Sequence, residues 1–222
     1  GHLKTSTTQG LKVGIYAPYF QDADPEVVRA CEAAVDALCA QGAQRVAVTL
    51  PDLGLLRTAH MVTIVSEMLT SMTPQLERDR RVFGHDVRMN LALGRRLTNA
   101  DYIKAQRMRP GFYEGFQAAF QQADIIVTPT TACTAPAIRS DALETGDSDL
   151  PLLDRIMRFS PAANLVGIPG LSVPVGYDER GLPIGLQIMG PAWSESLLLG
   201  VGLAIEAAVQ RRTPDGYESP LT

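Results

Sequence analysis

Two rhythms of apolar residues alternate along this 222-residue chain. One repeats every second position and suits a strand with one buried face. The other repeats every three or four positions and suits a helix with one buried side. Residues 11–16, LKVGIY, read as a short strand closed by Ala17-Pro18. A helix follows, with Asp24 as N-cap candidate and Pro25 at its first position. Val27, Val28, Cys31, Val35 and Leu38 recur at helical spacing, and Gly42 ends the run. Residues 45–50, RVAVTL, are a second strand closed by Pro51. Strand, helix and strand in this order make a βαβ-like unit, which lays its strands parallel.

Residues 55–72 read as a helix interrupted by Pro74, and 85–97 as another. Thr98 to Asp101 carries an N-cap signal for the next helix, predicted to be the longest. In it Met108, Phe112, Phe116 and Phe120 recur every four residues as a core-facing stripe. Pro110 is expected to kink or restart it. Residues 124–129, DIIVTP, form a continuous apolar run, which fits a strand buried on both faces. A threonine-bearing loop over 130–136 follows. Residues 140–149 are polar and read as exposed and mobile. Helices are predicted over 150–159 and again up to Gly167.

Two runs then alternate cleanly. In the first, Val173, Val175 and Tyr177 face one way; in the second, Ile184, Leu186 and Ile188 do. Residues 178–181, DERG, are turn chemistry, so the pair reads as an antiparallel hairpin. Pro174 has no N–H to give a ladder and belongs at an edge or a bulge. Residues 194–211 form an amphipathic helix, with Ser194 as N-cap candidate and Arg211-Arg212 suiting its C-terminal dipole. The whole is an α/β chain: a mixed, mostly parallel sheet with a carboxy-terminal β-hairpin, flanked by helices.

Composition narrows the chemistry. Apolar residues make up 45% of the chain, enough for a sizeable core. A net charge of −4 and the lack of a basic stripe argue against nucleic-acid binding. No run reaches the ~20 apolar residues of a membrane span. Cys31, Cys39 and Cys133 have no metal-ligand spacing, so no metal is expected and a reducing, cytoplasmic setting is the default. His2, His60 and His85 form no cluster and read as structural. Gly1-His2 reads as a tag scar, giving three parts: scar and linker over 1–10, the body over 11–212, and a tail over 213–222.

Familiar catalytic signatures are missing. There is no G-x-S-x-G elbow, no phosphate loop, no G-x-G-x-x-G and no H-E-x-x-H. Ser172 lies in a strand with no basic partner nearby, and packing accounts for it. Glu67, Asp86 and Asp101 read as surface or cap carboxylates.

Several blocks, in order, nevertheless resemble the carboxy-terminal half of an amidase signature family enzyme, over nearly the whole chain. They are residues 10–15 (GLKVGI), 83–88 (FGHDVR), Gly94 followed by 101–107 (DYIKAQR), 124–130 (DIIVTPT), 164–174 (NLVGIPGLSVP) and 181–187 (GLPIGLQ). The resemblance implies hydrolysis of an amide C–N bond by a Ser–Ser–Lys triad with oxyanion donors, and no metal or organic cofactor. It also implies that the triad and its Gly-Ser-Ser loop belong to the family's amino-terminal half; nothing here matches them, since no Gly-Ser-Ser occurs and Lys104 matches a helix position of the family and not its catalytic lysine. No catalytic residue is therefore carried over, and the chain alone is expected to be inactive.

Met89-Asn90 stand where glutamine-dependent amidotransferases resembling this chain have two arginines, and Met157-Arg158 where they have an acidic residue. This favours a general amidase with a less polar acyl pocket, the glutamyl-tRNA amidotransferase A-subunit being the alternative within the family. A non-catalytic amidase-like scaffold or binding module is the alternative outside it. Strand ends in open α/β sheets form binding sites. That rule makes Thr128, Thr130, Thr131, Phe159 and Asn164 candidate pocket residues, and the resemblance to the amidotransferases adds Met89 and Asn90. The bland roles of Thr130, Thr131 and Asn164 are turn or cap hydrogen bonds. Expected partners are a small-molecule amide and the missing amino-terminal half, with self-association through the face that half would cover.

Overall fold

A computed structural model describes residues 8–141, 144, 146, 149–210 and 212. Strand β1 (Lys12–Ile15) leads through a short helical turn α1 (Ala17–Phe20) to helix α2 (Pro25–Ala40) and strand β2 (Gln44–Ala47). Three helices follow: α3 (Leu53–Arg78), α4 (His85–Gly94) and α5 (Asn99–Phe120). Strand β3 (Ile125–Pro129) precedes α6 (Leu150–Met157) and α7 (Ser160–Val166). The hairpin strands β4 (Gly170–Tyr177) and β5 (Pro183–Met189) and helix α8 (Glu195–Ala208) complete the described elements.

The five strands form one mixed sheet in the order β2-β1-β3-β5-β4. β1 pairs parallel with β2 and with β3. β5 runs antiparallel to both β3 and β4, so four strands point one way and β5 alone opposes them. The predicted βαβ unit and hairpin are both present. Pro174 lies on the edge strand β4, where the register shifts between Pro174 and Gly176, as its missing N–H requires. The turn is fastened by the Asp178 carboxylate, which accepts from the N–H groups of Arg180 (2.9 Å) and Leu182 (2.8 Å).

Each face of the sheet is covered by helices. Val13, Ile125, Val127, Leu186 and Ile188 join Val27, Cys31, Val35 and Leu38 of α2 and Leu198, Val201 and Ile205 of α8 in one core. Ile126 and Met189 join Leu56 of α3, Phe112 and Phe116 of α5, and Ala162 and Leu165 of α7 in the other. Every residue of β3 is buried, so its unbroken apolar run has the physical cause read from sequence. Leu11 and Thr8 are buried too, and the Thr8 hydroxyl donates to Gln41 O at 2.8 Å. Residues 8–10 thus belong to the fold's edge, while Gly1-His2 and residues 213–222, read from sequence as a scar and a tail, lie outside the described residues.

Several expectations are corrected. Neither proline breaks its helix: α3 runs past Pro74 to Arg78, and α5 runs past Pro110 to Phe120. A helical proline removes one hydrogen bond. In α3 the Thr73 hydroxyl donates to Leu69 O (2.6 Å) just before the proline; in α5 buried Ala105, Phe112 and Phe116 seat the helix on both sides of it. α3, not α5, is the longest helix. β2 is shorter than expected and ends at Ala47. Asp24 does not cap α2 with its side chain, which turns to Arg155 instead. Ser194 donates its hydroxyl to Pro191 O at 2.6 Å rather than capping α8. α8 stops at Ala208, short of the arginines, and Arg212 goes to Tyr177, its N–H donating to the phenol oxygen at 2.9 Å. Arg211 lies outside the described residues. Thr98 and Asp101 do form a reciprocal capping box.

Gly14 lies where β1 is hemmed in. A Cβ there would stand 2.8 Å from Ala123 Cβ and 3.0 Å from the Ile125 carbonyl oxygen. Gly14→Ala is expected to cost about 1–3 kcal/mol through overpacking against backbone. Urea denaturation of the two proteins measures it.

Candidate substrate-binding cleft

Helix α6 stands between two clefts. On one side, α6 and α3 border an apolar groove of about 650 Å³, with Met61, Ile64 and Met68 facing Leu150, Leu153 and Met157. Arg57, His60, Asn90 and Asp154 are among its polar groups. On the other side, Ile156 joins Thr130, Thr131, Ser172 and Gly185 around a second cleft of about 720 Å³ at the end of β3. The first suits a flexible apolar chain. The second presents hydroxyls.

The sequence candidates divide between these places. Asn90 lines the apolar groove, while its neighbour Met89 is exposed on α4. Thr130 and Thr131 line the hydroxyl cleft. The Thr130 and Ser172 hydroxyls are 2.7 Å apart, and Thr131 donates to Cys133 O at 2.7 Å. The packing role expected of Ser172 is therefore corrected: its side chain is exposed and paired with Thr130, because it points from an edge strand toward the cleft. Gly185 makes the pair fit, since a Cβ there would lie 2.8 Å from Thr130 Oγ1 and 3.0 Å from Ser172 Oγ.

Thr128 and Phe159 are buried and line neither cleft, though Thr128 lies two residues before Thr130 and Phe159 two residues after Met157. Phe159 stacks obliquely on Tyr19, with centroids 4.8 Å apart. Gln187, on β5, ties the two together: its amide donates to Thr128 Oγ1 at 3.2 Å and to Phe159 O at 3.3 Å. The strand alternation alone puts Gln187 on a polar face and gives it no role. A signal is nevertheless present, because a strand between two covered faces buries such a residue, and a buried amide must find partners. Asn164 is exposed on α7 and lines neither cleft. The turn after it is made by Gly167 in the left-handed region, φ 79°, with its N–H donating to Ala163 O.

Charge holds α6 in place. Asp154 pairs with Arg57 of α3 and, at 3.0 Å, with Arg158. Arg158 also reaches the Asp22 carboxylate at 2.6 Å, and Arg155 pairs with Asp24. Burial pulls the Asp154 carboxyl up, but the hydrogen bond from Arg158 and the charge and hydrogen bond of Arg57 outweigh it and leave its pKa below the usual range. Burial pushes the Tyr19 phenol up, and its hydroxyl donates to Arg158 O at 2.9 Å. The Cys31 thiol is pushed up to about 12, by burial first and the Glu32 charge second, and so stays protonated and inert at neutral pH. Among the described residues no cluster of His, Cys, Asp and Glu is arranged to hold a metal, and no helix is long and apolar enough to cross a membrane.

His60 lies buried at the groove, and burial holds its imidazole below its ordinary pKa. The unfolded chain takes up a proton near pH ~6.5, where the folded chain does not. Stability therefore falls as pH drops below that value. The melting temperature is expected to decrease from pH ~7.5 to ~5.5, either side of that value, and His60→Gln to flatten that slope. Differential scanning fluorimetry across the range checks both.

The Amidase family profile matches residues 2–199. The chain is 44% identical over 218 residues to a fatty acid amide hydrolase of Medicago truncatula, covering 96% of this chain and 36% of that protein. It is 31% identical to the A-subunit of a glutamyl-tRNA(Gln) amidotransferase of Neisseria meningitidis, covering 89% of this chain and 45% of that one. A crystal structure described as an amidase superposes with a TM-score of 0.81 at 23% identity, over 94% of this chain and 48% of the other. The chain thus spans less than half the length of each of these relatives. With the family match running through both cleft-bearing walls and the mixed sheet, this chain belongs to the amidase family.

Proposed function

We propose that the whole protein hydrolyses the C–N bond of an amide with an apolar acyl group, and that this chain supplies the wall that holds the acyl group. The observation that carries the reading is the groove between α3 and α6, lined by apolar side chains from both helices. From Arg57 to Met68 the α3 wall runs about 16 Å at ~1.5 Å per residue, long enough for an extended alkyl chain. Asn90 is the single amide in the lining and is suited to the polar end of a ligand. Met89, on the same helix, is available to the rest of the protein. The 44% identity to a protein named fatty acid amide hydrolase supports an apolar acyl group.

The bond-breaking groups in this reading are a Ser–Ser–Lys triad in sequence preceding this chain. A serine oxygen attacks the carbonyl as the lysine takes its proton through the second serine, the amine leaves with that proton, and water then cleaves the acyl–serine ester to release the acid and restore the serine. Thr130, Thr131 and Ser172 are hydroxyls placed to meet that half. Gln187 ties Thr128 to Phe159 within the core. The amidotransferase reading is the weaker one, because a glutamine side chain would find Met, Ile and Leu where it needs polar partners. Trp193, 92% exposed with a backbone φ of 66°, marks apolar surface for the remaining half or a second copy to cover.

Two measurements test this. The chain alone, given short aliphatic and aryl amides, is expected to show no turnover; turnover that survives repurification and controls for contaminating serine hydrolases overturns the division of labour. In the full-length protein, kcat/KM over straight-chain primary amides is expected to rise by up to about fourfold per methylene, from ~0.8 kcal/mol per buried CH₂, until the groove is filled. Ile64→Glu, at an exposed groove position, is expected to abolish the rise; a flat profile in the unaltered enzyme refutes the apolar groove.

A further inference from the structure

Helix α6 is held unlike any other long element of the fold. None of its residues is buried, and Leu150, Leu153 and Met157, its apolar side, remain 57%, 40% and 38% exposed where they face the groove. Eight residues are too few for a helix to persist on intrinsic propensity. Its hold is polar. The Asp149 side chain caps its start, accepting from Leu152 N at 3.0 Å. The far end is anchored: Phe159 is fully buried, Tyr19 donates to Arg158 O, and the Ala132 N–H donates to Arg155 O at 3.0 Å. Arg158 reaches Asp22 and Arg155 reaches Asp24, both in the loop before α2. Among the described residues, one ion pair crosses the groove mouth, that of Arg57 on α3 with Asp154 on α6.

We propose that α6 is a hinged wall of the apolar groove, pinned near Arg158–Phe159 and latched to α3 by the Arg57–Asp154 pair, and that releasing the latch widens the groove for entry of the acyl chain. The role of the groove rests on the reading given under Proposed function; the latch does not. The physical reason is a contrast in how the two ends are held. Lifting the amino-terminal part of α6 exposes little apolar surface that is not already exposed. It breaks a solvent-accessible ion pair, which is weak and screened by salt. Moving the carboxy-terminal end would unseat Phe159 and leave the Gln187 amide without one acceptor, which is far costlier.

The asymmetry also explains the double engagement of Asp154. Its second partner, Arg158, belongs to the pinned end. When the latch opens, Asp154 keeps Arg158 as counter-ion, and Arg57, whose side chain is 32% exposed, is left to water, so the open state stays accessible. The two states then differ by a single exposed pair, the kind of small gap a ligand or salt shifts.

Hydrogen exchange read by mass spectrometry on the purified chain tests the latch without any activity. Peptides spanning 150–157 are expected to exchange about two- to fivefold faster in Asp154→Asn, in Arg57→Gln, and in the unaltered protein at ~0.5 M KCl, while peptides of β5 and α8 stay unchanged. The double variant should add nothing to Asp154→Asn, which already removes the Arg57 pair; Asp154→Asn also loses the Arg158 pair, so the comparison is made against that single variant. Unchanged exchange at 150–157, or a rise matched in β5, overturns the latch; the second outcome would mean general loosening. Adding dodecanamide separates the two claims. Slower exchange at 150–157 supports the groove as an acyl site. A normal salt response with no effect of dodecanamide overturns the acyl reading while the latch stands.

Discussion

A strand with no face to water governs this structure. Every residue of β3 is buried, and such a strand is stable only if helices cover both sides and strands pair with both edges. α2 and α8 cover one side; α3, α5 and α7 cover the other. β1 takes one edge and the reversed strand β5 takes the other. Because β5 is in turn buried on both faces, Gln187 has nowhere to be solvated, and its amide is committed to Thr128 and Phe159. The anchoring of Phe159, next to the carboxy-terminal end of α6, therefore follows from the burial of one strand.

At α6 the physics changes from packing to charge. α6 contributes nothing to the core and is secured by Asp22, Asp24, Arg57, Asp154, Arg155 and Arg158. A mutation at Phe159 would be felt by the whole fold, whereas one at Asp154 would be felt by one wall of one groove. Separating the two kinds of hold lets an apolar groove be lined by side chains that are not part of the core. Their exposure would be a liability in a finished surface, and it is consistent with a face that meets a ligand or the remainder of a longer protein.

Much of the fold was legible from local pattern. The period of two in residues 171–177 and 183–189 marked the hairpin, and Pro174 marked its edge, because a missing N–H forbids a central position in the ladder. The period near four in α2 and the phenylalanines of α5 marked their buried sides. Caps were less legible. Thr98 caps α5, but Asp24 and Ser194 commit their side chains to Arg155 and to Pro191 O, partners chosen by where the chain returns in space. The two prolines look like breaks, since local rules count a lost hydrogen bond but not the neighbouring packing that offsets it. Of the candidate pocket residues, Thr130, Thr131 and Asn90 reach clefts, Thr128 and Phe159 are buried in the core, and Met89 and Asn164 stand on open surface.

The sequence by itself determined the class of fold, the two-sided burial of β3, the family and the lack of a Gly-Ser-Ser loop within these residues, because each is written in residue type and short-range spacing. Tertiary structure alone decided that α6 would divide two clefts, that Ser172 would find Thr130 across 42 positions, and that Arg57 would meet Asp154 across 97. These are contacts between residues whose local surroundings carry no mark of one another. They exist because the sheet order β2-β1-β3-β5-β4 brings distant segments together, and a charge or a hydroxyl binds whichever complement the chain path delivers.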